Sequence, residues 1–468
     1  MGFTAIWITP AAKQPEGRYY WTGTGDPYQA SAFHGYWAYD FDQIDPHLHT
    51  ERDEKGKWLD GWNDFQKLAD AIHAKGMKLM LDVVINHGHP GDAAANTKWK
   101  KDELNIIMDK KTWKYDSATD PYGSTTVSTT PYVRNGFFNY GGDYKLSSLL
   151  DFNERGESGK DAREHLKNVF RKYIDHGVDA MRIDTAAYVT NEWMGEFADA
   201  MANYAKTKGN DHFYLMSEGW CGRYDAIQRA AYDKTGALHM IDMQASCLDF
   251  PGQMSNVFKP GGDYALFKNF TSSDKSSGLD DATFVGMFVD NHDCFRANGI
   301  FDETQYKNAL NYIYFFRGIP IVYYGTEAMY SWDGAHASTN KEDVVARWML
   351  GQKGIDYVKT NKPPMYKHIK MSNEIRKKCE GVQKGQQSEI VLSGDKAVLK
   401  RDYGDKSAYV AISKGAAYSY TFDSIPAGTY LKITMDAATA SYTEQTITVS
   451  GSASVDVKAN SVVVLQKQ

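Results

Sequence analysis

Short apolar runs rich in β-branched and aromatic residues alternate, along most of this chain, with stretches whose apolar positions recur every three or four residues. "FTAIWITP" reads as a strand, "WNDFQKLADAIHAKG" as an amphipathic helix and "MKLMLDVVINH" as a second strand. In "AREHLKNVFRKYIDHG" the residues Leu166, Val169, Phe170 and Tyr173 fall on one helical face. Gly177 closes that stretch, where a helix end favours a left-handed residue. The strand "VDAMRID", the helix "NEWMGEFADAMANYAKT" and the strand "FYLMSEG" follow. Further strands are read in "ALHMIDMQ", "TFVGMFVDNHD" and "IPIVYYGTE". Repeated βα units predict a parallel sheet, and this many of them predict a closed α/β barrel of the (β/α)8 TIM type. A doubly wound sheet would carry a glycine-rich phosphate loop after its first strand, and none is present.

Two stretches break the alternation. Residues 88–157 are poor in helical pattern and rich in Tyr, Gly, Thr, Asn and Asp. A plain βα loop has about 2–6 residues, so this is read as an inserted subdomain. From about residue 385 the period falls to two, with Gly, Pro, Asp and Ser turns between "AVLKRDYGDKSAYVAIS", "SYTFDSI", "GTYLKITM", "YTEQTITVSG" and "ASVDVKANSVVVLQ". That pattern predicts an antiparallel β-sandwich over 385–468. The barrel is then assigned to 1–87 and 158–384.

Composition narrows the functional classes. The net charge is −6, from 53 basic and 59 acidic residues, which gives no reason to expect a nucleic-acid partner or an anionic membrane surface. No apolar run reaches the roughly 18 residues that span a bilayer. The four cysteines form no CxxC pair, which argues against a zinc or thioredoxin-type site and leaves disulfides open. "MGFTAIWITP" has no basic leader or cleavage pattern and does not read as a signal peptide.

Candidate chemistry collects at strand ends, where barrels of this kind place their reacting groups. One strand leads to Asn86 and His87, one to Arg182 and Asp184, one to Glu218, and one to His292 and Asp293. A single strand-end Asp is often a helix cap, and a single His is usually structural. The whole set on four strand ends is harder to explain that way, because buried charge is costly. Arg182 and Asp184 share a strand face, since side chains alternate. The guanidinium favours the ionised carboxylate, which suits a nucleophile, with Glu218 on the next strand as proton donor. Two carboxyls about 5–5.5 Å apart fit double displacement at an anomeric carbon. Asp293 would be a third carboxylate favouring the oxocarbenium-like state, and His87 and His292 would bind sugar hydroxyls.

The stretches "DVVINH", "GVDAMRIDTA", "EGW" and "FVDNHD", with "FHGYWAYD" and "GIPIVYYGTE", resemble in order and spacing those of the α-amylase superfamily, glycoside hydrolase family 13. The resemblance runs over nearly the whole chain. It implies a retaining α-1,4-glucan hydrolase acting on starch, glycogen or maltooligosaccharides, extracellular and monomeric. Asp184 is then the nucleophile, Glu218 the acid/base, Asp293 the stabiliser, and Tyr36 stacks on the sugar ring. It also implies a structural Ca2+ held by Asn86, Asp151 and the Tyr188 carbonyl, oxygen ligands of the kind calcium takes. Some relatives hold chloride through groups matching Arg182 and Asn291.

Departures from the family pattern bear on specificity. Ala187 and Tyr188 stand where many members carry Lys-His, which puts subsite preference in doubt. Thr185 is similar to the α-1,4-acting members. "GFTAIWITP" resembles the family's second barrel strand, so the first strand and helix are expected to be missing. A 4-α-glucanotransferase on the same site is the nearest alternative, although cyclodextrin-forming members usually carry further domains. A non-catalytic glucan-binding protein is the other alternative, against which stand the three carboxylates.

Overall fold

The computed structural model describes residues 1–16, 19–21, 28–90, 105–108, 110–114, 132–134, 138–140, 146, 149–157, 159–218, 233–241, 253–267, 281–294, 296–330 and 351–468. The chain divides into two compact units, Phe3–Met240 and Ile241–Gln468 with Met1–Gly2.

In the first unit the strands Ala5–Ile8, Lys78–Val83, Ala180–Ile183 and Tyr214–Glu218 lie side by side in chain order and pair in parallel. The next strand, Leu238–Ile241, follows them. Its last residue opens the second unit, where Ile241 pairs with Gly286 of Gly286–Phe288, which pairs in turn with Ile319–Ile321. The seven-stranded parallel order thus follows the sequence, as the alternating pattern predicts for a barrel-type α/β fold.

The helices form where the 3.6-residue period put them. Trp62–His73, Lys160–Asp175 and Asn191–Thr207 turn Trp62, Phe65, Leu166, Val169, Phe170, Tyr173, Trp193 and Phe197 into a continuous core against Leu79, Leu81, Met181, Ile183 and Leu215 of the strands. Gly177 has φ 93° and donates its N–H to the Ile174 carbonyl, the left-handed helix end expected of it. A Cβ there would sit 2.8 Å from that of Ala69, so the helix end also passes close to its neighbour.

Most of the predicted insertion, 88–157, lies outside the described residues. Within it, His87–Pro90 pairs antiparallel with Leu149–Asp151, and Asn105–Met108 adds to Asp40–Ile44. In the second unit the predicted sandwich is a six-stranded antiparallel sheet from Gln386 to Lys467 with a separate pair, Tyr418–Asp423 and Ser452–Val457. Phe422, Val455 and Val457 of the pair share a core with Val398, Tyr409, Tyr430, Val463 and Leu465 of the sheet, which makes two layers.

Candidate active site

The strand ladder fixes the site before any side chain is considered. Arg182 is opposite Asp82 in the parallel register, and Ile183 is opposite Ser217 on the other side. One step further along, Asp184 and Glu218 come level. Alternation then points Asp82, Arg182, Asp184 and Glu218 to one face.

The side chains meet there as one buried network. Arg182, 1% exposed, donates Nη1 to Asp184 Oδ1 at 2.6 Å and to Asp82 Oδ1 and Oδ2 at 3.1 and 3.2 Å. Its Nη2 pairs with Glu218 Oε1 at 2.8 Å. Asp184 and Glu218, 7% and 6% exposed, are therefore bridged by one planar guanidinium. Burial works against the charge on Arg182, but Asp82, Glu218 and Asp184 outweigh it and hold the guanidinium protonated. One cation facing three carboxylates leaves the cluster with excess negative charge, suited to a positive charge that develops on a substrate.

Local backbone shapes the same point. Thr185, directly after Asp184, has φ 49° and ψ 37°, a left-handed conformation uncommon outside glycine. In that conformation its N–H donates to Glu218 Oε2 at 2.8 Å, while Asp184 N–H donates to the Val83 carbonyl at 2.9 Å. Two neighbouring peptide groups thus tie the Asp184 turn to the strand on each side.

Tyr36 OH donates to Asp82 Oδ2 at 2.7 Å, and the ring packs with Trp37, Val84 and Leu149. His87 is fully enclosed. Burial pulls it down to about 4, although the Asp184 charge and a bond to the Tyr36 backbone act in the other direction. It is neutral at neutral pH. The strand carrying this stretch stops at Val83, so Asn86 and His87 lie past its end rather than on it, and His87 opens the short strand facing Asp151. In that short pairing Asp151 is level with His87, and Phe152 N–H donates to the Asn86 carbonyl at 2.9 Å. Both side chains are buried, and Asn86 Oδ1 has no hydrogen-bond partner, as an oxygen reserved for a cation would. Tyr188 ends the short turn Ala186–Tyr188. Among the described residues no group of three or more His, Cys, Asp or Glu side chains is arranged to hold a metal.

In the second unit His292 Nε2 pairs with Asp293 Oδ2 at 3.0 Å, and Asn291 Oδ1 accepts the Asp293 N–H at 2.8 Å. The preceding Asp290 is buried and bonded to Tyr306 OH at 3.0 Å and to Ala297 N–H at 2.8 Å, which pins the loop carrying them. The sequence reading gave Asp82 no role. Its signal was the same as for Arg182, a charge inside an apolar strand, here "LMLDVV".

Residues 1–363 match the family described as alpha amylase, catalytic domain. A cyclomaltodextrin glucanotransferase of Geobacillus stearothermophilus is 24% identical over 438 residues, 92% of this chain and 54% of its own. An alpha-amylase of Niallia circulans is 24% identical over 475 residues, covering 97% of this chain and 78% of its own. The chain thus spans about half the length of the glucanotransferase it matches. Among solved structures, a cyclomaltodextrin glucanotransferase with a three-domain ABC distribution superposes at a TM-score of 0.72 with 22% identity, over 99% of this chain and 87% of that one. The alpha-amylase of Geobacillus thermoleovorans complexed with acarbose does so at 0.66, also with 22% identity, over 99% and 88%. These structural likenesses establish the barrel-based fold. The family match, covering most of the chain, establishes its membership: this protein belongs to the alpha-amylase family, glycoside hydrolase family 13.

Proposed function

We propose that the protein is a retaining α-1,4-glucan hydrolase acting on starch, glycogen or maltooligosaccharides. The observation that carries this reading is the pair of carboxyls, Asp184 and Glu218, bridged by Arg182 at the ends of adjacent strands. Asp184 attacks the anomeric carbon, and the hydrogen bond from Arg182 holds it aimed. Glu218 gives its proton to the leaving glucosyl oxygen and then takes one from the incoming water. For the first step Glu218 must be protonated. Asp293 serves as the stabilising carboxylate. Tyr36, His87 and His292 bind the sugar, and the fixed neutral state of His87 suits it to hydrogen-bonding a hydroxyl.

Ca2+ held by Asn86, Asp151 and the Tyr188 carbonyl is part of the proposal, and the unpartnered Asn86 Oδ1 supports it. When bound, the ion would pin the inserted stretch to the strand end beside His87. Chloride at Arg182 and Asn291 would have to compete with three carboxylates already on that guanidinium. An extracellular location is favoured by the disulfide at Cys294, since such bonds persist in oxidising compartments.

A glucanotransferase on the same site is the second reading, favoured by the glucanotransferases among the relatives. The three-domain glucanotransferase removes domain number as an argument against it. Both readings share the glycosyl-enzyme and differ in whether water or a sugar hydroxyl takes it. Asp184→Asn is expected to abolish reducing-sugar release from soluble starch while glucan binding persists; activity equal to the parent would end the catalytic assignment. Linear maltooligosaccharides as the dominant products of the parent would support hydrolysis, and cyclic or elongated products would assign transfer.

A further inference from the structure

One buried arginine, Arg296, ties the loop carrying His292 and Asp293 to the loop after the neighbouring strand. Both loops belong to the second unit. The first follows Gly286–Phe288, and the second follows its parallel partner Ile319–Ile321. Arg296, 2% exposed, pairs through Nε with Asp290 Oδ2 at 3.4 Å and donates Nη2 to Thr326 Oγ1 at 3.4 Å. Tyr306 OH meets both Asp290 Oδ1 and Thr326 Oγ1 at 3.0 Å, which closes the ring of contacts. Asp290, Tyr306 and Thr326 are buried with it.

The flat face of the guanidinium serves a different neighbour. Its Cζ lies 4.7 Å from the centre of the Tyr323 ring, within cation–π range. The Tyr323 ring in turn packs against the His292 imidazole, centre to centre at 6.4 Å, and His292 Nε2 pairs with Asp293 Oδ2 at 3.0 Å. A path of direct contacts therefore runs from Arg296 through two rings to Asp293. A buried ion pair is weak evidence for stability, since apolar side chains of similar volume often serve as well. A planar cation does what they cannot: its edge holds Asp290 and Thr326 while its face holds Tyr323.

We propose that Arg296 is a positioning residue: it fixes the Tyr323 ring, and through that ring it sets the orientation of His292 and of the Asp293 carboxylate paired with it. The kinetic consequence rests on Asp293 acting as the stabilising carboxylate. The structural consequence, the setting of the His292 ring, does not depend on that role.

The test uses the full chain. Arg296→Lys keeps the charge beside Asp290 but loses the planar fork. On maltooligosaccharides, with hydrolysis and transfer counted together, it is expected to lower kcat about 10-fold while KM moves less. Tyr323→Leu, which removes the intermediate ring, should lower kcat similarly, and the double variant should lose no more than the larger single loss. The ring 1H–13C signal of His292, assigned by its loss in His292→Asn, should shift in Arg296→Lys while that of the exposed His47 stays in place. Losses that multiply in the double variant, or an unmoved His292 signal, would overturn the proposal. If the parent protein turns over no glucan, the hydrolase reading falls and the His292 signal alone decides the positioning. If Arg296→Lys does not fold, Thr326→Val, which removes the Nη2 acceptor without touching the charge, is measured in its place.

Discussion

At the scale of single residues, the site depends on sharing one cation among several acids. Arg182 has two terminal nitrogens, and Asp82 takes part of one from Asp184. Asp82 is a positioning residue: it holds the guanidinium and Tyr36 OH without standing at the strand end itself. Replacing it with Asn removes a charge while keeping the shape. Asp82→Asn is expected to lower kcat by roughly 10- to 100-fold, the cost of misplacing reacting groups by about 1 Å, with KM moving less. A parallel loss in Tyr36→Phe would trace the effect to the same bond, whereas unchanged kcat in both would remove Asp82 from the machinery. Arg182, Asp184 and Glu218 were legible in the sequence because alternation along a strand is a two-residue rule. Asp82 was quoted within its motif yet given no role, because pairing across strands depends on a register that no local pattern contains.

At the scale of elements, helices were read closely and strand ends were not. Asn191–Thr207 coincides with the predicted stretch, capped by the Thr190 side chain accepting from Trp193 N–H. Strands end where their partners end, which is why "LMLDVVINH" stops at Val83, opposite Ile183. Helix–helix packing carries a pH dependence of its own. His368, on Pro364–Lys378, is wholly buried against Glu303–Phe315 and meets Asn311 Oδ1 at 3.0 Å through Nε2. Burial, aided by Lys307, pulls it from 6.5 down to about 3. The unfolded chain therefore binds a proton between those values and the folded chain does not, so stability falls as pH drops below 6.5. The loss approaches about 5 kcal/mol at the acid limit, at about 1.4 kcal/mol per unit. His368→Gln should flatten the acid side of a Tm-against-pH curve. An unchanged slope would assign the acid sensitivity to other groups.

At the scale of the whole molecule, the chain divides into two compact units, and the terminal sheet lies in the second. An ion at Asn86 and Asp151 would cross-link the inserted stretch to the sheet of the first unit and so stabilise the folded chain by mass action. Chelation with EDTA is expected to lower Tm by at least about 5 °C, with recovery on adding Ca2+ but not Mg2+, whose small octahedral shell suits such a site poorly. A Tm indifferent to EDTA would remove calcium from the reading.

The sequence by itself determined the α/β alternation, the helix faces, the terminal β domain and the charged residues gathered at the strand ends, because each rests on periods of two or 3.6 residues and on local turn chemistry. Only the tertiary structure decided that Asp82 joins Arg182, that Thr185 turns left-handed to reach Glu218, and that Arg401 and Arg376 meet at one helix end. Those pairings link residues 33 to 100 positions apart, and their partners are chosen by sheet register and burial rather than by neighbours in the chain.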